Sequence, residues 1–290
     1  MILALGVYNM IMINRRIVAV SGGVDSVVLL HKMVQAYPSK ELVVAHVDHG
    51  IRADSSSDAD FVEQLAASYK CQFRKIRLEL SPQASELQAR QVRYEFLNQL
   101  AAEYQATIYT AHHLDDIVES MAINLTRGTG WRGMAVMSAT GVERPLARLF
   151  KAELLQYARE HQLNWREDST NQTDKYLRNR LRQKLSDFSD DKKLQLLAIW
   201  SRQQQLVTEI DSEARSLATN KRHFYIMSHK LEAMEVLRSY LAMHGVSLTR
   251  PQLERVLMDI KVKRPGAVVD LSGGKSMKIA KATVHIDINQ

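Results

Sequence analysis

Short runs of consecutive apolar, largely β-branched residues stand apart along the first part of the chain, at Ile17–Val20, Leu42–Val47, Phe73–Ile76 and Thr107–Thr110. Between them, apolar positions recur at helical spacing over Val27–Tyr37, Ala59–Tyr69 and Ser85–Gln105. Continuous apolar runs of strand length fit strands buried on both faces, and their alternation with helices predicts right-handed βαβ crossovers. The expected fold class is therefore α/β, a parallel sheet with helices on both faces. In such a sheet ligands collect at the carboxyl ends of the strands, and the polar motifs of this chain fall at those ends.

After Phe150 the strand signals fade. Lys151–His161, Lys175–Leu185 and the long run Asp191–Leu217 read as helices, with a polar loop at Glu167–Asp174 between the first two. Helical patterns at Lys230–His244 and Pro251–Asp259 then lead to short alternating strands at Ala267–Leu271, Ser276–Ile279 and Thr283–Ile286. This predicts a domain over residues 15–185, a linker helix over 186–220 and a small α+β C-terminal domain over 221–290, with residues 1–14 as an N-terminal extension. No internal repeat of about 20–50 residues interrupts this reading.

Composition narrows the classes. The 290 residues are 46% hydrophobic and 24% charged, as in ordinary globular proteins, which argues against a collagenous, disordered or membrane-embedded chain. Met1–Ile13 is apolar but short for a span, has no basic residue before it and is followed by Arg15 and Arg16, so a non-secreted, cytoplasmic protein with no membrane partner is expected. Cys71 is the sole cysteine, which excludes an internal disulfide, a CxxC redox pair and a cysteine-built zinc or iron–sulfur site. The net charge of +7 favours a polyanionic partner such as nucleic acid, although charge alone fits many basic proteins that bind none.

Ser21-Gly22-Gly23-Val24-Asp25-Ser26 follows the first strand and opens the first helix, where backbone N–H groups and the helix dipole attract an anion. Two glycines let a phosphate approach, the serines offer hydroxyls, and Asp25 among phosphates suits a Mg²⁺ contact. The plainer alternative is a strand-to-helix turn capped by Asp25 or Ser26. Ser272-Gly273-Gly274-Lys275-Ser276 imitates a phosphate loop, but Val269 stands where that motif needs glycine, so a tight turn between strands is expected. His46 and His49, at the end of the second strand, fit hydrogen bonding or local structure better than zinc.

His112-His113-Leu114-Asp115-Asp116-Ile117-Val118-Glu119-Ser120 follows the fourth strand. Asp116 and Glu119 at i,i+3 spacing share a helix face, with His112 one turn earlier, and such a carboxylate pair attracts a lysine ammonium or Mg²⁺. Acids that merely complement a helix N-terminus are the alternative. Arg90 and Arg93 lie on adjacent turns, spaced to meet triphosphate or RNA phosphate oxygens, or else to form a solvated face.

Ser21–Ser26 resembles the PP-loop signature of ATP pyrophosphatases, which cleave ATP between the α and β phosphates. The resemblance implies an adenine nucleotide alpha hydrolase-like, PP-loop nucleotide-binding fold. Within that class, Asp48–Arg52, Ala89–Tyr94, His112–Ser120, Arg127-Gly128, Arg144-Pro145-Leu146, Glu167–Asn171 and Tyr176–Arg182 are similar to segments of tRNA(Ile)-lysidine synthetases. What this implies is ATP-dependent, AMP-forming ligation of free lysine to the wobble cytidine of an isoleucine tRNA with a CAU anticodon, assisted by Mg²⁺. It implies ATP contacts from Ser21, Gly22, Gly23, Val24, Asp25, Ser26 and His46. Catalytic roles fall to Asp25, Arg90, Arg93, His112, Asp115, Asp116 and Glu119, with Asp116 and Glu119 binding lysine and Asp25 and Asp115 as candidate Mg²⁺ contacts. Arg52, Arg178, Arg182 and the small C-terminal domain are the candidate tRNA contacts, and a homodimer is one candidate assembly. Ending at Gln290, the chain is expected to lack the additional C-terminal domain of longer family members. The rivals are a tRNA thiolase, disfavoured by the lone cysteine, a small-molecule synthetase of the same superfamily, and a non-catalytic basic RNA-binding protein.

Overall fold

Every one of the apolar runs becomes a strand of one parallel sheet in the computed structural model, which describes residues 14–48, 55–78, 86–166, 181, 184–185, 187–271 and 273–288. The strands are β1 (Arg16–Ala19), β2 (Leu42–Asp48), β3 (Gln72–Arg77) and β4 (Thr107–Tyr109), joined by a two-residue β5 (Val142–Glu143) too short for periodicity to reveal. Their order is β3-β2-β1-β4-β5. Ile17 pairs with Val43 on one side and Ile108 on the other, so the buried middle of the central strand has apolar neighbours on both edges.

Alternation along each strand divides the core in two. Val18 and Val44 pack on one face with Val28, Leu29 and Leu30 of α1 (Val24–Ala36), Val62 of α2 (Ser55–Ser68) and Leu154 of α5 (Lys151–Glu160). Ile17, Val43, Ala45 and Ile108 face the other way, toward Leu97 and Leu100 of α3 (Glu86–Tyr104). Beyond the sheet's edge, α4 (Leu114–Thr126) and α6 (Asp190–Ser216) contribute Leu114, Ile117, Val118, Met121 and Leu197 to a third cluster. Among the described residues no helix is long and apolar enough to cross a membrane.

The chain divides into two units, residues 1–200 and 201–290, with the boundary inside α6. The second unit holds α7 (Arg222–Met227), α8 (Lys230–Met243), α9 (Arg250–Val262) and an antiparallel sheet of β6 (Val268–Asp270), β7 (Lys275–Ile279) and β8 (Val284–Ile288). Its core is its own, built around Tyr225, Leu237, Val256, Ile260, Met277 and Ile279. Gly273 and Gly274 have φ of 71° and 68° and connect β6 to β7, so the second glycine cluster belongs to a hairpin.

The buried guanidinium of Arg222 closes the end of α9: Nε donates to the Ile260 carbonyl (2.8 Å) and Nη2 to that of Lys263 (2.5 Å). Helix carbonyls without intrahelical partners need such donors, and a cation there also opposes the helix dipole. Arg222→Met is expected to lower the stability of this unit by about 2 kcal/mol, because the buried carbonyls lose their charged donor. Hydrogen exchange of the α9 amides in the full chain measures it, and unchanged protection would contradict the capping role.

Candidate active site

Strand order turns around between β1 and β4: the chain winds outward from β1 through β2 to β3, then returns to lay β4 and β5 on the other side. At such a switch point the connections leave in opposite directions and open a crevice at the carboxyl ends. The Ser21–Ser26 loop leaves β1 there, and the Thr110–Glu119 segment leaves β4 beside it.

Within the loop, Gly22 takes φ of +96°, a conformation that side chains disfavour although Val62 and Phe61 would leave room for a Cβ at 3.5 and 3.6 Å. Buried Ser26 shapes this turn. Its Oγ accepts the N–H groups of Ser21 and Gly22, both at 3.2 Å, and donates its proton to the Gly23 carbonyl at 2.8 Å. A hydroxyl has one proton to give, so Ser26 braces the loop, while the Oγ of the exposed Ser21 lies 3.2 Å from Ser26 Oγ and accepts the Gly23 N–H at 3.4 Å. His46 is buried and its Nδ1 lies 2.8 Å from the Val20 carbonyl, tying β2 to the base of the loop. Burial lowers its pKa, outweighing the opposing effect of the Val20 hydrogen bond. The hydrogen-bonding reading of this histidine fits that position.

Three carboxylates meet around His113. Its Nε2 lies 3.8 Å from Asp25 and 3.5 Å from Asp116, and its Nδ1 lies 3.7 Å from Asp115. Asp25, in the first turn of α1, is gripped by Lys151 Nζ at 2.6 and 2.7 Å. Asp115 accepts the Lys151 backbone N–H at the start of α5 (2.8 Å) and Lys193 Nζ from α6 (2.8 Å). Burial alone would raise the pKa of Asp115, but these bonds, with the charges of Lys193 and His113, hold it below the ordinary carboxylate value. Asp116 accepts the His113 backbone N–H (3.1 Å), so it does serve the helix terminus, and Glu119 is buried one turn farther along α4.

The helix begins at Leu114, later than i,i+4 spacing from His112 to Asp116 requires. His112 consequently stands on the strand-to-helix connection rather than on the face of Asp116, with Nδ1 2.9 Å from Thr110 Oγ1. The arginines of α3 turn toward it. Arg90 and Arg93 both flank the Tyr94 ring, at 5.4 and 5.7 Å, and Arg144 follows β5 with Nη1 donating to the Val142 carbonyl (2.9 Å). Burial, and then the positive charges of Arg144, Arg93 and Arg90, push His112 from 6.5 down to about 3. Arg93 is half-buried and Arg90 exposed, and both lie near enough for their charges to act on His112.

His113, Lys151, Lys193 and Arg144 belong to this arrangement although no local pattern assigned them roles. Arg144 stands out in sequence only through the Arg144-Pro145-Leu146 resemblance, and both lysines come from helix starts remote in sequence. Arg52, Arg178, Arg182 and His49 lie outside the described residues. For Mg²⁺, the described residues contain no cluster of three His, Cys, Asp or Glu ligands. That ion is commonly held by one or two carboxylates together with substrate phosphates, but Lys151 Nζ faces both oxygens of Asp25, and Lys193 Nζ and the Lys151 N–H occupy those of Asp115, so a Mg²⁺ there would have to displace a lysine ammonium.

Residues 6–188 match a family model described as a PP-loop domain. A tRNA(Ile)-lysidine synthase of Solibacter usitatus is 42% identical over 170 residues, covering 57% of this chain and 38% of the relative. The Bacillus subtilis tRNA(Ile)-lysidine synthase is 32% identical over 256 residues, covering 83% of this chain and 54% of the relative. The chain thus spans about half or less of these relatives' length. A solved U34-tRNA thiolase from Methanococcus maripaludis superposes with a TM-score of 0.56 at 16% identity, over 66% of this chain and 73% of that one, which establishes a shared fold.

The electrostatics predict an acid-sensitive core. His112 binds its proton in the unfolded chain near pH 6.5 but in the folded one only near 3, so the unfolded state holds more protons between those values and stability falls as pH falls through that window. The lowered Asp115 adds loss in the same direction below its ordinary value. Stability should drop by on the order of 2 kcal/mol more between pH 6.5 and about 5 in the native chain than in His112→Asn. Urea titrations at each pH test this, and equal slopes for the two proteins would refute a neutral, half-buried His112.

Proposed function

Because the chain belongs to the PP-loop domain family, we propose that it is an ATP-dependent, AMP-forming carbon–nitrogen ligase that joins free lysine to C2 of the wobble cytidine in an isoleucine tRNA with a CAU anticodon. The observation that carries this reading is the meeting of the glycine loop of β1 with the carboxylates that follow β4, in a sequence whose curated relatives bear the lysidine synthase name.

In the reaction so assigned, the cytidine O2 attacks the α-phosphate of ATP, forming a P–O bond as pyrophosphate leaves. The backbone amides of the loop and the helix dipole of α1 bind the phosphates, while Arg90 and Arg93 offset the charge that develops on them. Mg²⁺, if bound through Asp25 and Asp115, supplies further neutralisation of phosphate charge. The amine of lysine then forms the C–N bond at C2 and AMP departs with its oxygen. Asp116 and Glu119 hold the ammonium until it loses a proton, for which the neighbouring carboxylates are the acceptors, since burial and the nearby arginines leave His112 too weakly basic for that task. The small C-terminal unit, with Arg52, Arg178 and Arg182, contributes tRNA contacts, and the reaction is placed in the cytoplasm. Sulfur transfer is disfavoured by Cys71: burial pushes its thiol pKa up, away from the reactive thiolate.

Incubation with ATP, radiolabelled lysine and the CAU-anticodon tRNA tests the assignment directly; label that never reaches RNA would reject it. Two variants should separate the half-reactions. Asp25→Ala should abolish pyrophosphate release, whereas Glu119→Gln should still adenylate the tRNA but transfer it poorly to lysine, with excess lysine restoring part of the rate. Single-turnover assays with α-labelled ATP would reveal the trapped adenylate, and loss of adenylation in Glu119→Gln would move that residue to the phosphate side.

The +7 charge generates a further expectation, that affinity for tRNA falls steeply between roughly 50 and 200 mM salt as counterion release weakens. Filter binding measures it, and a flat response would exclude electrostatic RNA capture.

A further inference from the structure

Lys151 is the first residue of α5, and Asp115 binds its backbone N–H at 2.8 Å, so the root of this side chain is fixed. Its tip rests on Asp25 in the first turn of α1, with Nζ 2.6 and 2.7 Å from the two carboxylate oxygens. A lysine carries a compact charge on a flexible stem, which lets the ammonium change partners while the helix stays in place.

The two lysines of this corner differ in freedom. The side chain of Lys193 is 15% exposed and that of Lys151 39%. Lys193 serves the carboxylate that also closes the start of α5, and its departure would strand Asp115, whose charge burial already penalises. Asp25 stands instead beside the glycine loop, where an incoming ligand brings charges of its own. Of the two carboxylates expected to meet Mg²⁺, Asp25 is therefore the exchangeable one.

The ammonium and a divalent ion are rivals there. Mg²⁺ binds oxygens at about 2.1 Å, so on either oxygen of Asp25 it would stand within about 5 Å of Nζ. Like charges that close repel, and in a half-buried corner water screens them poorly. A triphosphate changes the balance. Its oxygens complete the coordination of the metal, and the N-terminus of α1 draws them toward Asp25. The same oxygens receive the released ammonium, so contacts between opposite charges are conserved as the two cations change places.

We propose that Lys151 and a divalent metal ion exclude each other from Asp25, so that metal enters this site with the nucleotide and not before it, the phosphates taking up the ammonium that the metal displaces. The exchange presupposes the ATP use of the reaction proposed above, though not its acceptor.

Mn²⁺ serves as an EPR-visible probe, titrated into the full chain with and without α,β-methylene-ATP. Without nucleotide, Lys151→Met should bind Mn²⁺ about 10-fold or more tightly than the wild type, because the repelling charge is gone. Adding Asp25→Asn to Lys151→Met should abolish that gain, which assigns it to this carboxylate. The factor by which the analogue raises Mn²⁺ affinity should shrink by about 10-fold in Lys151→Met, since nothing then bars the metal from entering alone. Equal Mn²⁺ affinities in the wild type and Lys151→Met, a gain that survives Asp25→Asn, or an unchanged coupling factor would each overturn the exchange. Should Lys151→Met fail to fold, the wild type decides, because Mn²⁺ bound as tightly without the analogue as with it would overturn the exchange equally. Lysine transfer does not enter these measurements. A wild type without affinity for the analogue would refute nucleotide binding and the exchange together, whereas a chain that shows the exchange yet joins no lysine to tRNA would refute the proposed reaction and support the exchange.

Discussion

Asp115 is the tie on which the site depends. One carboxylate oxygen closes the N-terminus of α5 through the Lys151 N–H, and the other holds the ammonium of Lys193 on α6, while the residue itself sits in the first turn of α4. Three helices are thereby indexed to one side chain. The same contact places Lys151 where its own ammonium grips Asp25 on α1, so the glycine loop is registered against the segment after β4 by charge as well as by strand pairing. Apolar packing of Leu114, Ile117 and Leu197 stabilises this corner without specifying direction; the ionic bonds supply the direction.

Adjacent histidines mark a boundary of charge. His113 is ringed by Asp25, Asp115 and Asp116, whereas His112 is coupled to Arg90, Arg93 and Arg144. The acidic side is also where Lys151 and Lys193 are engaged, and on the basic side Arg144 donates to the Val142 carbonyl. A site divided in this way presents separate regions to cationic and anionic groups, as the proposed joining of an amino acid to a nucleotide requires.

Much of the fold was legible because buried parallel strands must be continuously apolar and their helices must show a stripe. β1 to β4 and helices α1, α2 and α3 match their expected spans to within a few residues. β5 was not legible, since two residues carry no period, and neither was α7, six residues long and framed by no cap signal. Strand order has no local signature at all, yet it alone makes the loop after β1 and the segment after β4 neighbours. Motif residues such as Asp25, Asp115 and Asp116 could be picked out because their sequence neighbours repeat a chemistry. Lys151 and Lys193 could not, because each acts through a carboxylate far away in the chain. The start of α4 was placed too early for a related reason: His113 N–H is satisfied by Asp116, which makes His113 the cap and leaves His112 outside.

The central position of β1 also bears on how the molecule is made. As the chain leaves the ribosome, β1 gains β2 as a partner early, but its other edge waits for Thr107–Tyr109. At translation rates of about 5–20 residues per second, that wait lasts about 3–12 s. During it, Arg16–Ala19 exposes an unpaired strand edge with Ile17 uncovered on the α3 face, the kind of surface that recruits other nascent strands or a chaperone. The crevice that joins two remote motifs in the finished protein is thus, during synthesis, an open seam whose closure is timed by the length of chain between them.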